Sequence, residues 1–230
     1  MHYEGALTWK PTRHMPFKPV ESLSEQIATH LANKIIRGEI KAKERIQELR
    51  ISGELEVSRG SVREALLILE RRHLVDILPR RGAVVTEVTE TNVKGLYDVY
   101  GQLLQLMVRG VTHNWSGSDL DALIKKFEVM RAAKDRGDQL ERIFELGFEI
   151  MEQAFIIVGN PFLAETLLNF KPMIQRTYFM ALQSQQGDFH DNLEFFASLM
   201  DAVVKREEEK AAELVKGYVK DQLHSVLNTL

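Results

Sequence analysis

EVSRGSVREALLILERRHLV, Glu56 to Val75, is the stretch that decides the fold of the first third of the chain. Val62, Ala65, Leu66 and Leu69 recur at the spacing that puts apolar side chains on one face of a helix. Arg59 and Arg63 lie four residues apart and share another face. Both fall in the first half of the helix, where the macrodipole disfavours cations. A sequence shaped by stability alone would carry Asp or Glu there. Guanidinium groups suit that end when an anion or a guanine edge comes to meet them. Arg grips guanine O6 and N7 together, and the first residues of a recognition helix reach base edges. Ser58, Gly60 and Ser61 are small enough for phosphate to approach the backbone N–H groups. The plain alternative, a solvated face in which Glu64 or Glu70 pairs with the arginines, stays open on these residues alone.

The flanking residues supply the context. Ser22-Leu-Ser-Glu25 reads as a capping box. Ile27, Leu31 and Ile35 then form one apolar stripe, and Gly38 stops the helix. A second, short helix is expected over 46–56 and a third over 58–72. His73–Pro79 and Ala83–Val88 are β-branched runs around Pro79-Arg-Arg-Gly82, the signature of a hairpin. Three helices followed by a two-stranded hairpin make a winged helix-turn-helix over 21–88, a layout that binds double-stranded DNA. Arg50 on the second helix and Arg80, Arg81 and Gly82 at the hairpin tip are further candidate contacts. Residues 1–20 hold three of the six prolines and no sustained period, so they read as an N-terminal arm.

From Thr89 onward the pattern is helical throughout. Helices are expected over 90–113, 118–136, 138–158, 161–185, 189–206 and 208–228. Ser118-Asp-Leu-Asp121 and Asn160-Pro161 are the clearest starts, Gly187-Asp188 is a break, and Pro172 interrupts one helix. The fold class is therefore mainly α: a winged helix-turn-helix followed by an all-helical bundle over 89–230. Charge follows the same division. Residues 1–90 carry 15 Lys and Arg against 13 Asp and Glu, and the remainder 15 against 20. The absence of cysteine excludes disulfides and fits a cytoplasmic setting. No apolar run reaches the length of a membrane span. An enzyme is not indicated: there is no nucleophile–base pair, phosphate-cradling glycine loop or metal cluster, and no cofactor is expected.

The stretch SRGSVREALLILERRHLVDILPRRGAVV resembles the GntR family of bacterial transcription regulators, over about residues 22–88. The resemblance implies DNA contacts at Ser58, Arg59, Gly60, Ser61, Arg63 and Gly82. Two positions depart from the family pattern. Glu56 stands where a glycine is usual, and Leu49 stands where the second helix usually has an arginine, with Arg50 one position on. Gly159-Asn-Pro-Phe-Leu-Ala164 and Leu199-Met-Asp-Ala202 resemble the effector domain of the FadR subgroup. That likeness implies a homodimer on a palindromic operator, repression, and control by a small-molecule effector. Many such domains hold a divalent metal through an Asp-x-x-x-His pair and two later histidines. The corresponding residues here are Glu145, Glu149, Phe196 and Tyr218, so no metal is expected. Glu145 and Glu149 read either as facing the ligand or as part of a solvated acidic stripe with Glu141 and Glu152. Tyr100, Phe196 and Tyr218, with Arg176 nearby, become the candidate effector contacts, each also open to being ordinary core. Tyr100 replaces an arginine that often meets carboxylates in the subgroup. Its loss, with the metal set gone, points away from a small metal-chelated acid and toward a larger, partly apolar effector such as an acyl thioester.

Overall fold

The computed structural model describes residues 22–137, 139–183 and 192–230; the proline-rich arm and the Gly187-Asp188 break lie outside them. Helix α1 (Leu23–Ile36) starts where expected, but only the serine half of the capping box forms, the Ser22 hydroxyl accepting from Glu25 N at 3.2 Å. The Glu25 carboxylate accepts from Arg72 at 2.8 Å, tying α1 to the end of the third helix. Strand β1 (Arg45–Ile46), α2 (Glu48–Glu54), α3 (Arg59–Arg71), β2 (Val75–Leu78) and β3 (Gly82–Val85) follow. The sheet runs β1-β3-β2, antiparallel throughout, with Ile77 opposite Ala83 and Arg45 opposite Val84. The expected second helix is thus shortened at its start, because β3 recruits Arg45 and Ile46.

Several helix ends share one device. After α1 the chain turns through Gly38 at φ +74°, with Glu39 N donating to Lys34 O and Gly38 N to Ile35 O. This pairing satisfies carbonyls that the helix leaves unbonded, and it needs a left-handed residue just past the cap. After α2 the same place is held by Glu56 at φ +53°, with Val57 N donating to Ser52 O at 3.0 Å. The turn that the family builds on glycine therefore survives its loss, at the steric cost of a Cβ in left-handed geometry. His73 repeats the arrangement at the end of α3, at φ +58°.

The helical half comprises α4 (Glu90–Asn114), α5 (Asp121–Asp135), α6 (Leu140–Val158), α7 (Pro161–Gln183), α8 (Asn192–Val204) and α9 (Glu208–Leu227). Asn160 Oδ1 accepts from Leu163 N at 3.2 Å, and Gly159 ends α6 in left-handed geometry, as the Gly-Asn-Pro run implies. The helix start expected at Ser118 falls three residues later. Asp119 accepts from the amide and hydroxyl of Ser116, and α5 begins at Asp121 behind Leu120 in helical geometry. Arg206 donates to the carbonyls of Thr112, His113 and Trp115, closing the exposed end of α4.

Two apolar cores result. One gathers α1, α2, α3 and the sheet around Leu31, Leu66 and Leu69. The other gathers α4 to α9 around Leu146, Leu167 and Tyr97. They meet along α7: Met173 belongs to the first core and its neighbour Ile174 to the second. Val88 and Leu96, at the join of sheet and bundle, pack against both.

Glu56 is exposed and strained. Glu56→Gly should therefore raise stability by up to about 1 kcal/mol, part of the relieved strain being offset by the greater freedom of glycine in the unfolded chain. Denaturant unfolding checks this, and a loss of stability would contradict the reading of the turn.

Candidate nucleic-acid interface and ligand cavity

Helix α3 divides its faces as the sequence implies. Val62, Ala65 and Leu69 are fully buried, while Arg59, Gly60 and Arg63 lie exposed. Ser58 is the N-cap, its hydroxyl accepting from Ser61 N at 3.0 Å and lying 2.9 Å from the Ser61 hydroxyl. The amides of Arg59 and Gly60 keep no partner within the helix, the geometry that receives a phosphate. Neither glutamate of the alternative pairing engages the arginines. Glu64 accepts from the Ser24 hydroxyl at 2.6 Å, and Glu70 from Ile77 N at 3.1 Å. Arg63 instead forms a two-pronged pair with Glu48 of α2, at 2.9 and 3.3 Å, yet its side chain stays 67% exposed. That contact holds the Glu48 carboxyl below its ordinary value. Arg59 makes no hydrogen bond or ion pair with the described residues. Arg50 pairs with Glu54 at 2.7 Å along α2.

The wing tip is a tight turn in which Arg81 N donates to Leu78 O at 3.1 Å. Arg80 takes φ +64° there, and Gly82 φ +75°. A left-handed arginine where glycine or asparagine is easier stores backbone strain at an exposed cation. Arg45, not anticipated from the sequence, joins this cluster. A Cβ on Gly82 would lie 3.8 Å from its guanidinium nitrogens. The signal for it was β1, too short to read without its partner strand.

In the helical half, α4, α5, α6, α8 and α9 line a partly open cavity of about 110 Å³. Tyr100, Phe196 and Tyr218 line it, together with Phe144, Phe148 and Met151. Among the described residues no charged side chain does. Tyr218 stacks on Phe195 with centroids 4.1 Å apart, and among the described residues the Tyr100 hydroxyl reaches only the Met151 thioether, at 3.9 Å. Burial pushes both phenols well above their ordinary value of 10.0, so they remain neutral donors.

Three expected effector residues lie elsewhere. Glu145 and Glu149 point away from the cavity. Arg142 pairs with both, and Lys126 reaches Glu149 at 2.7 Å. Glu141 and Glu152 complete the stripe, paired with Arg37 and Lys171. The acidic-stripe alternative is therefore the arrangement found. Arg176 is buried at the join of the two halves, where it donates to the Thr86 hydroxyl at 3.1 Å. Burial lowers its pKa to about 10, still leaving it charged at neutral pH.

Residues 23–85 match the gntR family of bacterial regulatory proteins, and residues 95–221 match the FCD domain. The chain belongs to the GntR family. This GntR regulator is 27% identical over 192 residues to the HTH-type transcriptional regulator YdhC of Bacillus subtilis, covering 83% of the chain and 84% of the relative. It is 24% identical over 200 residues to the gluconate operon transcriptional repressor of Bacillus licheniformis, covering 84% and 79%. Its fold is shared with McbR/YncC of E. coli, at TM-score 0.75 and 18% identity over 91% of this chain and 99% of that one. The protein is a DNA-binding transcription regulator, not an enzyme.

The metal that the subgroup resemblance implies does not fit the residues present. Phe196 and Tyr218 stand at two ligand positions, and Glu149 is already paired with two cations. Among the described residues, no three His, Cys, Asp or Glu side chains gather as a metal site. Nor is any described helix long and apolar enough to cross a membrane.

Glu48 places a negative charge beside Arg63 on the exposed face of α3. Glu48→Gln should tighten binding to a non-specific duplex about twofold at low salt, as one repulsive charge near the polyanion is removed. Fluorescence anisotropy measures this. Weaker binding would show that the ion pair instead holds Arg63 in its working position.

Proposed function

We propose that this GntR regulator is a cytoplasmic repressor that binds a palindromic operator as a homodimer and answers to a small molecule held in the helical half. In this reading residues 21–88 form the DNA-binding domain and 89–230 the effector and dimerisation domain, with 1–20 as an arm. Helix α3 enters the major groove by its N-terminal turn. Arg59 and Arg63 reach base edges, and the Gly60 amide and Ser61 meet phosphate, with Ser58 as the cap that fixes the turn. Arg80, Arg81 and Gly82 at the wing, joined by Arg45, contact backbone or minor groove. Arg50 adds a phosphate contact once it leaves Glu54. Relatives named as transcriptional repressors support repression.

The observation that carries the DNA-binding part is the exposure of Arg59 and Arg63 at the first turns of a helix whose opposite face is wholly buried. The cavity carries the effector part. At roughly 10–15 Å³ for each water centre, it exceeds what a few solvent molecules occupy, which favours a ligand-controlled regulator over an effector-free one. The misfit of the metal ligands tells against a metal-responsive regulator.

Control requires that a ligand favour one relative placement of the two halves. Several contacts at their join could carry it. Phe144 lines the cavity and stacks on Tyr178 at 3.5 Å, and the pair borders the cleft between α1 and the bundle. Arg37 of α1 reaches Glu141 across that cleft. Met173 and Arg176 of α7 hold the DNA-binding half directly.

The test begins with a duplex selected from a random pool by the full-length protein. A palindrome should emerge, bound with an affinity that falls linearly in log salt. Arg59→Ala or Arg63→Ala should each weaken operator binding at least about fivefold, since one arginine–guanine pair is worth about 1–3 kcal/mol. Parent-like binding by both variants would show that α3 does not read the DNA.

A further inference from the structure

We infer that the cavity selects a small, uncharged molecule of about one aromatic ring whose single hydrogen-bonding group meets the hydroxyls of Tyr100 and Tyr218. This deepens the proposed effector site and rests on that reading. Size gives the first limit. A cavity of about 150 Å³ lined by Leu, Ile and Phe takes up benzene, and the one here measures about 110 Å³. A long acyl chain exceeds it, and its wall offers no cation to a coenzyme diphosphate. Charge gives the second limit. A carboxylate brought inside would lose its water and find no partner, because the nearby cations Lys126 and Arg142 are spent on Glu145 and Glu149 outside the wall. The polar end gives the third. Among the described residues the Tyr218 hydroxyl has no hydrogen-bond partner, and Tyr100 has only a thioether. Each retains donor and acceptor capacity for a hydroxyl, an N–H or a carbonyl on the ligand.

The experiment uses the full-length protein with methionine methyl groups labelled by carbon-13, because Met107, Met151 and Met200 all line the cavity. Three probes of matched shape are titrated at neutral pH: p-cresol, toluene and p-toluate. p-Cresol should shift those three methyl resonances and bind about three- to tenfold more tightly than toluene, the value of one hydrogen bond. p-Toluate should bind at least about tenfold more weakly than p-cresol. Tyr218→Phe and Tyr100→Phe, which keep the ring packing, should together erase the preference for p-cresol over toluene. If p-toluate matches p-cresol at the same methyl groups, the uncharged class is wrong while the cavity remains a ligand site. If p-cresol keeps its advantage in the double variant, the tyrosines are not the polar end. If no probe moves the three methyl groups, the ligand class and the effector reading of the cavity fall together.

Discussion

Met173 and Ile174 are adjacent in sequence, yet they are buried in different cores. That single step along α7 is the constraint on which the rest of the molecule depends. A helix cannot move one residue without moving the next, so any rearrangement of the bundle that shifts α7 is felt beneath α1 and α3. Pro172, immediately before, removes one backbone hydrogen bond from α7 and loosens the helix at the junction. Arg176, one turn beyond, is a buried charge with a single neutral partner among the described residues, an expensive arrangement unless both halves remain in place around it.

The distribution of charge separates two tasks. Around α3 and the wing, exposed guanidinium groups occupy places where stability would not choose them: a helix N-terminus, a left-handed turn, a sheet edge. Around the bundle cavity the reverse holds. Every acidic side chain of the α6 stripe is matched by a base on the outer surface, and the inner wall is left to rings, methyl groups and two phenols. The first surface suits a polyanion. The second suits a neutral guest, and the Phe144–Tyr178 stack stands between that guest and the cleft below α1.

Much of the architecture was legible in the sequence because local chemistry and tertiary packing agree. The serine at 22, the glycines at 38 and 159 and the Asn160-Pro161 start each satisfy backbone groups in the way their residue types allow. The winged layout followed from the change of period after α3. What could not be read depends on partners remote in sequence. Strand β1 exists only because β3 lies beside it, which is why Arg45 was missed. Glu56 stands where the family has a glycine, but the turn is set by carbonyls of α2 that must be bonded whatever residue follows. On α6, the four-residue spacing of Glu145 and Glu149 was compatible with either face, because apolar residues surround much of that helix. The choice fell to Lys126 and Arg142, which draw both carboxylates outward. Arg176 was placed by likeness to the subgroup, and the packing of α7 against Thr86 takes it to the junction instead.

If α7 joins the two halves as described, DNA bound at α3 must be sensed along that helix. Amide hydrogen exchange, compared with and without a selected operator duplex, measures this residue by residue. The account predicts added protection at the start of α3 and at the wing, together with a change in exchange across residues 172–178. Protection confined to residues 22–85, with α7 unaltered, would contradict it.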